Sequence, residues 1–121
     1  MTVGQALEGY CLCGAVTVRV PEGAGWVGAC HCRMCQRLSG APLVTWVTVK
    51  TDDLRFHKGA PKWIRSSNIA TRAFCAECGT QLLWRPDREA GMTDVTAASL
   101  DDPNSVRVTA GTRHITDAQN T

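Results

Sequence analysis

Seven cysteines stand out in this 121-residue chain, and they fall into three groups. Cys75-Ala76-Glu77-Cys78-Gly79 has the form C-x-x-C-G, in which a tight turn offers two sulfurs to one ion and the glycine permits a left-handed backbone beyond them. Such a pair needs a distant second pair. Cys11-Leu12-Cys13 supplies one: in extended chain, residues i and i+2 share a face, so both sulfurs converge while Leu12 points away. Together Cys11, Cys13, Cys75 and Cys78 make a closed four-cysteine set, the usual donor set of structural zinc, with reduced core thiols or a redox pair as the alternative. The middle group, Cys30-His31-Cys32-Arg33-Met34-Cys35, joins C-x-C to C-x-x-C through Cys32. Three thiolates cover three vertices of a tetrahedron and leave the fourth open, as catalytic zinc sites do. On Zn2+ they sum to a charge of −1, which softens the ion's Lewis acidity and favours a substrate thiolate over hydroxide. Unmetallated thiols or a transient disulfide are the alternatives here.

The cysteine count agrees with this division. Disulfide pairing of seven would leave one over, whereas four plus three uses every thiol. His31, between two candidate ligands, points away from them if the chain there is extended, and is read as a surface or hydrogen-bonding residue. Arg33, Gln36 and Arg37 are placed to meet carboxylates of a small substrate, with solvated surface as the plainer reading. Trp46, Trp63 and Trp84 lie inside strand candidates and are assigned to core or cleft wall rather than to base stacking. Lys58, Lys62 and Arg65 form a basic stretch that is expected to be ordinary surface. No Gly-rich phosphate loop, H-E-x-x-H helix or nucleophile elbow is present.

The elements that must position these residues read as short strands. Ala15 to Val20 alternates with β-branched residues and stops at Pro21. After Cys30, Gln36 to Leu38 allows a short helical turn, broken by Ser39-Gly40-Ala41-Pro42 before a strand over Leu43 to Lys50. Leu54 to His57 and Lys62 to Ser66 are strands separated by a hairpin turn or open corner at Lys58 to Pro61. Thr71 to Phe74 and Gln81 to Trp84 flank the last cysteine pair. Met92 to Ala98 and Arg107 to Thr109 complete the set, with a turn over Leu100 to Asn104 between them. Frequent Gly and Pro between short strands indicates an all-β architecture.

Composition bounds the function. With 44% hydrophobic and 20% charged residues, the chain reads as one soluble globular domain over 1–121. The longest mostly apolar stretch, Leu43 to Val49, falls far short of the roughly twenty residues that cross a bilayer. Met1 to Tyr10 lacks the basic start and apolar run of a secretory signal, so a cytoplasmic location is expected. A net charge of +2 argues against an electrostatic nucleic-acid binder.

The chain resembles the family of glutathione-dependent formaldehyde-activating enzymes, which includes centromere protein V. Three ordered motifs carry the resemblance: Gly9 to Val16, Cys30 to Gly40, and Phe74 to Thr80, with Val95 to Pro103 similar as well. The likeness spans a core at 9–115 and implies a single zinc-binding domain, a tent of small antiparallel β-sheets stapled by a structural zinc on Cys11, Cys13, Cys75 and Cys78, and a second, displaceable zinc on Cys30, Cys32 and Cys35 as the active centre. It also implies a carbon–sulfur lyase-like activity on adducts of a small thiol and an aldehyde, the founding reaction being condensation of formaldehyde with glutathione to S-hydroxymethylglutathione. Relatives often continue beyond the Arg113-His114-Ile115 position with an aromatic-containing tail, where this sequence reads Thr116 to Thr121, so a wall of the cleft or an interface is expected to be missing. Two other classes fit the residues: a non-catalytic zinc module that docks protein or nucleic acid, and a thiol redox sensor.

Overall fold

The computed structural model describes residues 6–21, 27–101 and, as backbone, 112–113. Its strands are β1 (Leu7–Tyr10), β2 (Thr17–Val20), β3 (Val27–Cys30), β4 (Val44–Lys50), β5 (Arg55–Lys58), β6 (Lys62–Arg65), β7 (Ala70–Phe74), β8 (Gln81–Pro86), β9 (Met92–Thr96) and β10 (Thr112–Arg113). Among the described residues, one α-helix, α1 (Arg33–Ser39), and three short 3-10 turns interrupt them. The strands form a three-stranded sheet in the order β1-β2-β5 and a seven-stranded sheet in the order β10-β3-β4-β9-β8-β7-β6. Every pairing is antiparallel except β10 with β3. The all-β expectation therefore holds, and no helix among the described residues is long and apolar enough to cross a membrane.

Side-chain alternation explains how the sheets stack. Val18 and Val20 of β2 turn inward with Val16, while Arg19 turns out. They meet Val47, Val49, Leu83 and Val95 of the large sheet in one core. The opposite face of the large sheet carries a second, smaller core of Cys30, Cys32, Cys35, Val44 and Trp46, with Met34 and Trp84 packed against it. β4 sends Val47 and Val49 to the first core and Val44 and Trp46 to the second, which is why its sequence is apolar on both faces.

Three strands lie outside the alternation reading. β1 is Leu-Glu-Gly-Tyr, and β3 is Val-Gly-Ala-Cys with all four residues buried. Their glycines and alanine are poor strand formers, so tertiary packing decides their state. Gly9 is required by close approach: a Cβ there would stand 2.7 Å from the Ser99 carbonyl oxygen. β10 is the third. The turn at Lys58 to Pro61 proves to be an open corner, since β5 pairs with β2 in one sheet and β6 with β7 in the other. The helical turn expected at Gln36 to Leu38 extends over α1, and the strand from Met92 ends at Thr96, where a 3-10 turn over Ala97–Ser99 follows. The strand expected at Arg107 to Thr109 lies outside the described residues, as do the end of the Leu100 to Asn104 turn and the segment after Arg113.

Candidate metal centres

The sulfurs gather into two groups. Cys11, Cys13, Cys75 and Cys78 form one and Cys30, Cys32 and Cys35 the other, with all sulfurs of a group within 4.8 Å of one another. No disulfide links any of them.

The quartet is built from two turns on different sheets. Cys11 and Cys13 sit in the β1–β2 connection and Cys75 and Cys78 in the β7–β8 connection. The Cys11 pair converges by a turn rather than by the extended chain expected: the Gly14 N–H donates to the Cys11 carbonyl at 3.1 Å, and Leu12, 88% exposed, does point away. The matching turn is closed by the Gly79 N–H donating to the Cys75 carbonyl at 2.8 Å. Sulfur separations are 3.7 Å between Cys11 and Cys13 and 3.8 Å between Cys13 and Cys75. A tetrahedron with metal–sulfur bonds near 2.3 Å has edges of about 3.8 Å, so these donors fit zinc.

Thr80, which the cysteine spacing does not reveal, ties the two turns together. Its hydroxyl accepts the Leu12 N–H at 3.0 Å and lies 3.2 Å from Cys78 Sγ, to which it can donate. The Thr80 hydroxyl, and then its N–H, pull the Cys78 thiol down to about 5. At Cys11, burial opposes ionisation but is outweighed by the hydrogen bond from the Val16 N–H and by neighbouring thiols, so the net shift is downward.

The trio sits where β3 runs into α1. Cys30 ends β3, Cys32 is the helix N-cap with its sulfur accepting the Cys35 N–H at 3.3 Å, and Cys35 lies in the first turn. Gly40, at φ 71°, closes the helix by donating its N–H to the Gln36 carbonyl at 2.8 Å. The three cysteines are 4%, 2% and 2% exposed, whereas Cys13 of the quartet is exposed and Cys78 half-buried. Openness at the trio is thus a matter of donor count and not of solvent exposure. His31 is not among the gathered donors. Arg33 pairs with Gln36 on the helix surface, the Arg33 Nη1 donating to Gln36 Oε1 at 2.5 Å.

Spacing gave no sign of Arg72, a β7 residue whose Nη1 and Nη2 donate to Cys35 Sγ at 3.7 and 3.6 Å. The Cys35 thiol is held down to about 5, first by hydrogen bonding from Cys30 and, against the cost of burial, by the charge and hydrogen bonds of Arg72. Cys30 moves the other way, raised by Cys35 and by burial. Cys35 therefore ionises ahead of Cys30. The signal available beforehand was an arginine within a short strand segment that is otherwise uncharged, Ala-Thr-Arg-Ala-Phe.

A cavity of about 830 Å3 opens beside these sites, lined in part by Tyr10, Leu12, Leu38, Leu43, Cys78 and Gln81. None of the trio lines it. Gln81 connects the two regions, because its Oε1 accepts from Arg72 Nη1 at 3.1 Å. Trp46 is buried, and Trp63 and Trp84 are half-buried against the two cores, as wall and core residues should be. Lys58 and Lys62 are exposed, and Arg65 forms an exposed ion pair with Asp87 at 2.7 Å.

With this geometry in place, the comparisons with known proteins give a class. The profile of the glutathione-dependent formaldehyde-activating enzyme family matches residues 6–115, and the chain belongs to that family. Over 77 residues it is 29% identical to an uncharacterized lyase of Schizosaccharomyces pombe, a match covering 64% of this chain and 56% of that protein. The chain thus matches little more than half of that relative's length. Among solved structures, the crystal structure of a Rhodobacter sphaeroides protein superposes with a TM-score of 0.68 at 25% identity, covering 88% of this chain and 99% of the other.

Proposed function

We propose that the protein is a two-zinc, lyase-type enzyme of the cytoplasm that makes and breaks carbon–sulfur bonds in adducts of a small thiol, such as glutathione, with formaldehyde or a similar aldehyde. The observation that carries this reading is the sorting of seven thiols into a quartet and a trio within one family framework. Cys11, Cys13, Cys75 and Cys78 would hold a structural ion, and Cys30, Cys32 and Cys35 a reactive one. Zinc on three protein sulfurs supplies a position at which a substrate sulfur is kept as thiolate. In the reaction itself, the thiol sulfur bonds to the carbonyl carbon, and the proton that sulfur gives up ends on the carbonyl oxygen; the lyase direction reverses both changes.

The chain's own residues set the conditions for that chemistry. α1 fixes Cys32 and Cys35 one turn apart, and Cys30 and then the two N–H groups of Arg72 favour the ionised form of the Cys35 sulfur. Burial of all three sulfurs keeps bulk water from the site, where electrostatic interactions are stronger. The mostly apolar cavity next to Gln81 offers space for the organic part of a small adduct.

The deciding experiment measures exchange between formaldehyde, glutathione and S-hydroxymethylglutathione by NMR, using protein whose metal content is known from native mass spectrometry. Two ions per chain and exchange faster than in buffer are expected, with Cys35→Ser losing the acceleration. Two-ion protein that leaves the rate at its buffer value with glutathione and with other small thiols overturns the reading.

A further inference from the structure

Arg72 is only 2% exposed, although a guanidinium leaves water only where the protein takes up its charge. Its hydrogen bonds go not to carboxylates but to the Cys35 sulfur, reached by two N–H groups, and to the Gln81 amide oxygen. The guanidinium carbon also lies over the face of Trp46, 6.0 Å from the ring centroid. The remaining nitrogen, Nε, is buried without a hydrogen-bond partner. The strand register places Arg72 opposite Trp84, which packs on the small core that contains the trio. A buried cation is thus built into the wall of a site made of potential anions.

We infer that Arg72 is the charge partner of the three-thiol site, a positioning residue whose guanidinium offsets the net negative charge that three thiolates leave on a divalent ion and so governs how firmly that ion is held. The inference rests on the reading of Cys30, Cys32 and Cys35 as a metal site. Two features favour arginine over lysine: the planar fork directs two N–H groups at one sulfur, and it still has a donor for Gln81. Gln81 in turn lines the cavity, so a molecule bound there is two hydrogen-bonded steps from the Cys35 sulfur. Partners of this kind, which touch a ligand and not the metal, typically change metal affinity on the order of 10- to 100-fold when removed.

The test uses full-length, two-ion protein and its Arg72→Gln and Arg72→Lys variants, titrated with a zinc chelator while release from each site is followed. The quartet ion is the internal reference, and the melting temperature reports folding. In Arg72→Gln the second ion is expected to be held on the order of 10- to 100-fold more weakly, with the quartet ion unchanged. Arg72→Lys, which keeps the charge and loses the fork, should fall between Arg72→Gln and wild type, and it carries the test if the glutamine variant does not fold. A role limited to packing would treat the two variants alike, so equal second-ion affinity in Lys and Gln variants, or wild-type affinity in Arg72→Gln or Arg72→Lys, overturns the inference and leaves the two-ion reading intact. A wild-type protein that retains one ion only overturns both.

Discussion

Cys75 and Cys32 are both buried thiols, yet their loss should have opposite consequences. Cys75 is 1% exposed in the main core and belongs to the quartet. A structural zinc contributes on the order of 10 kcal/mol, comparable with the whole net stability of a small domain. Cys75→Ser should therefore abolish cooperative melting. Cys32 caps α1 through its sulfur, and serine is a better N-cap than cysteine because its oxygen accepts the same N–H in a shorter bond. Cys32→Ser should keep a cooperative thermal transition by circular dichroism; collapse of both variants would contradict the division between a structural and a reactive site. Thr80 offers a finer test. Thr80→Val removes the acceptor for the Leu12 N–H and the donor to Cys78, at a cost of about 1–3 kcal/mol in denaturant melts, while Thr80→Ser should restore most of it. A Thr80→Val protein as stable as wild type would show that the two turns are joined by their sulfurs alone.

Turns and strand ends hold the next set of constraints, and two glycines separate conformational strain from collision. Gly40 closes α1 at φ 71° with no heavy atom near an added Cβ, so Gly40→Ala should cost about 1–2 kcal/mol, the left-handed penalty alone. Gly59 has φ 66° at the corner between β5 and β6, and a Cβ there would lie 2.1 Å from the Ala15 carbonyl oxygen, which is backbone and cannot swing aside. Gly59→Ala should cost about 3 kcal/mol or more, read as the difference in urea midpoints; equal losses at both positions would mean that the corner relaxes freely. These positions also show what the sequence made legible. Alternating β-branched residues marked β2, and the apolar run marked β4, because those side chains enter a core on one or both faces. β1 and β3 were illegible for the converse reason: small residues there are selected by what packs over them, the Ser99 carbonyl on Gly9 and Trp46 opposite Gly28. The cysteine grouping was legible in part from spacing, since C-x-x-C and C-x-C bring sulfurs together once a turn closes them, as the Gly14 and Gly79 N–H bonds do here. Arg72 and Thr80 were not, because they join the sites only through strand register and turn contact across more than thirty residues of chain, as Arg72 meeting Cys35 shows.

With an ion on its four sulfurs, the quartet would be a coordinate link between two sheets that otherwise meet through side chains and a few backbone contacts, such as the bridge between Gly9 and Leu100 and the Asp101 N–H donating to the Glu8 carbonyl at 2.9 Å. Cys11 and Cys13 belong to a connection within the three-stranded sheet, and Cys75 and Cys78 to one within the seven-stranded sheet. An ion held by all four binds the folded arrangement and not the separated turns, so its binding energy becomes stability of the whole molecule. Each tenfold rise in free zinc above the dissociation constant should then add about 1.4 kcal/mol per ion bound only by the folded state. In Cys32→Ser, where the trio is broken, that increment should persist as the increment of one ion, visible as a rise of a few degrees in melting temperature per decade of buffered zinc. Acid should act in the opposite sense, because thiols must lose protons to bind: at fixed zinc the melting temperature falls as pH drops, and added zinc restores it. A Cys32→Ser protein whose melting temperature ignores both zinc and chelator would mean that the two sheets are held by the valine-rich core between them, with the four sulfurs gathered as ordinary buried thiols.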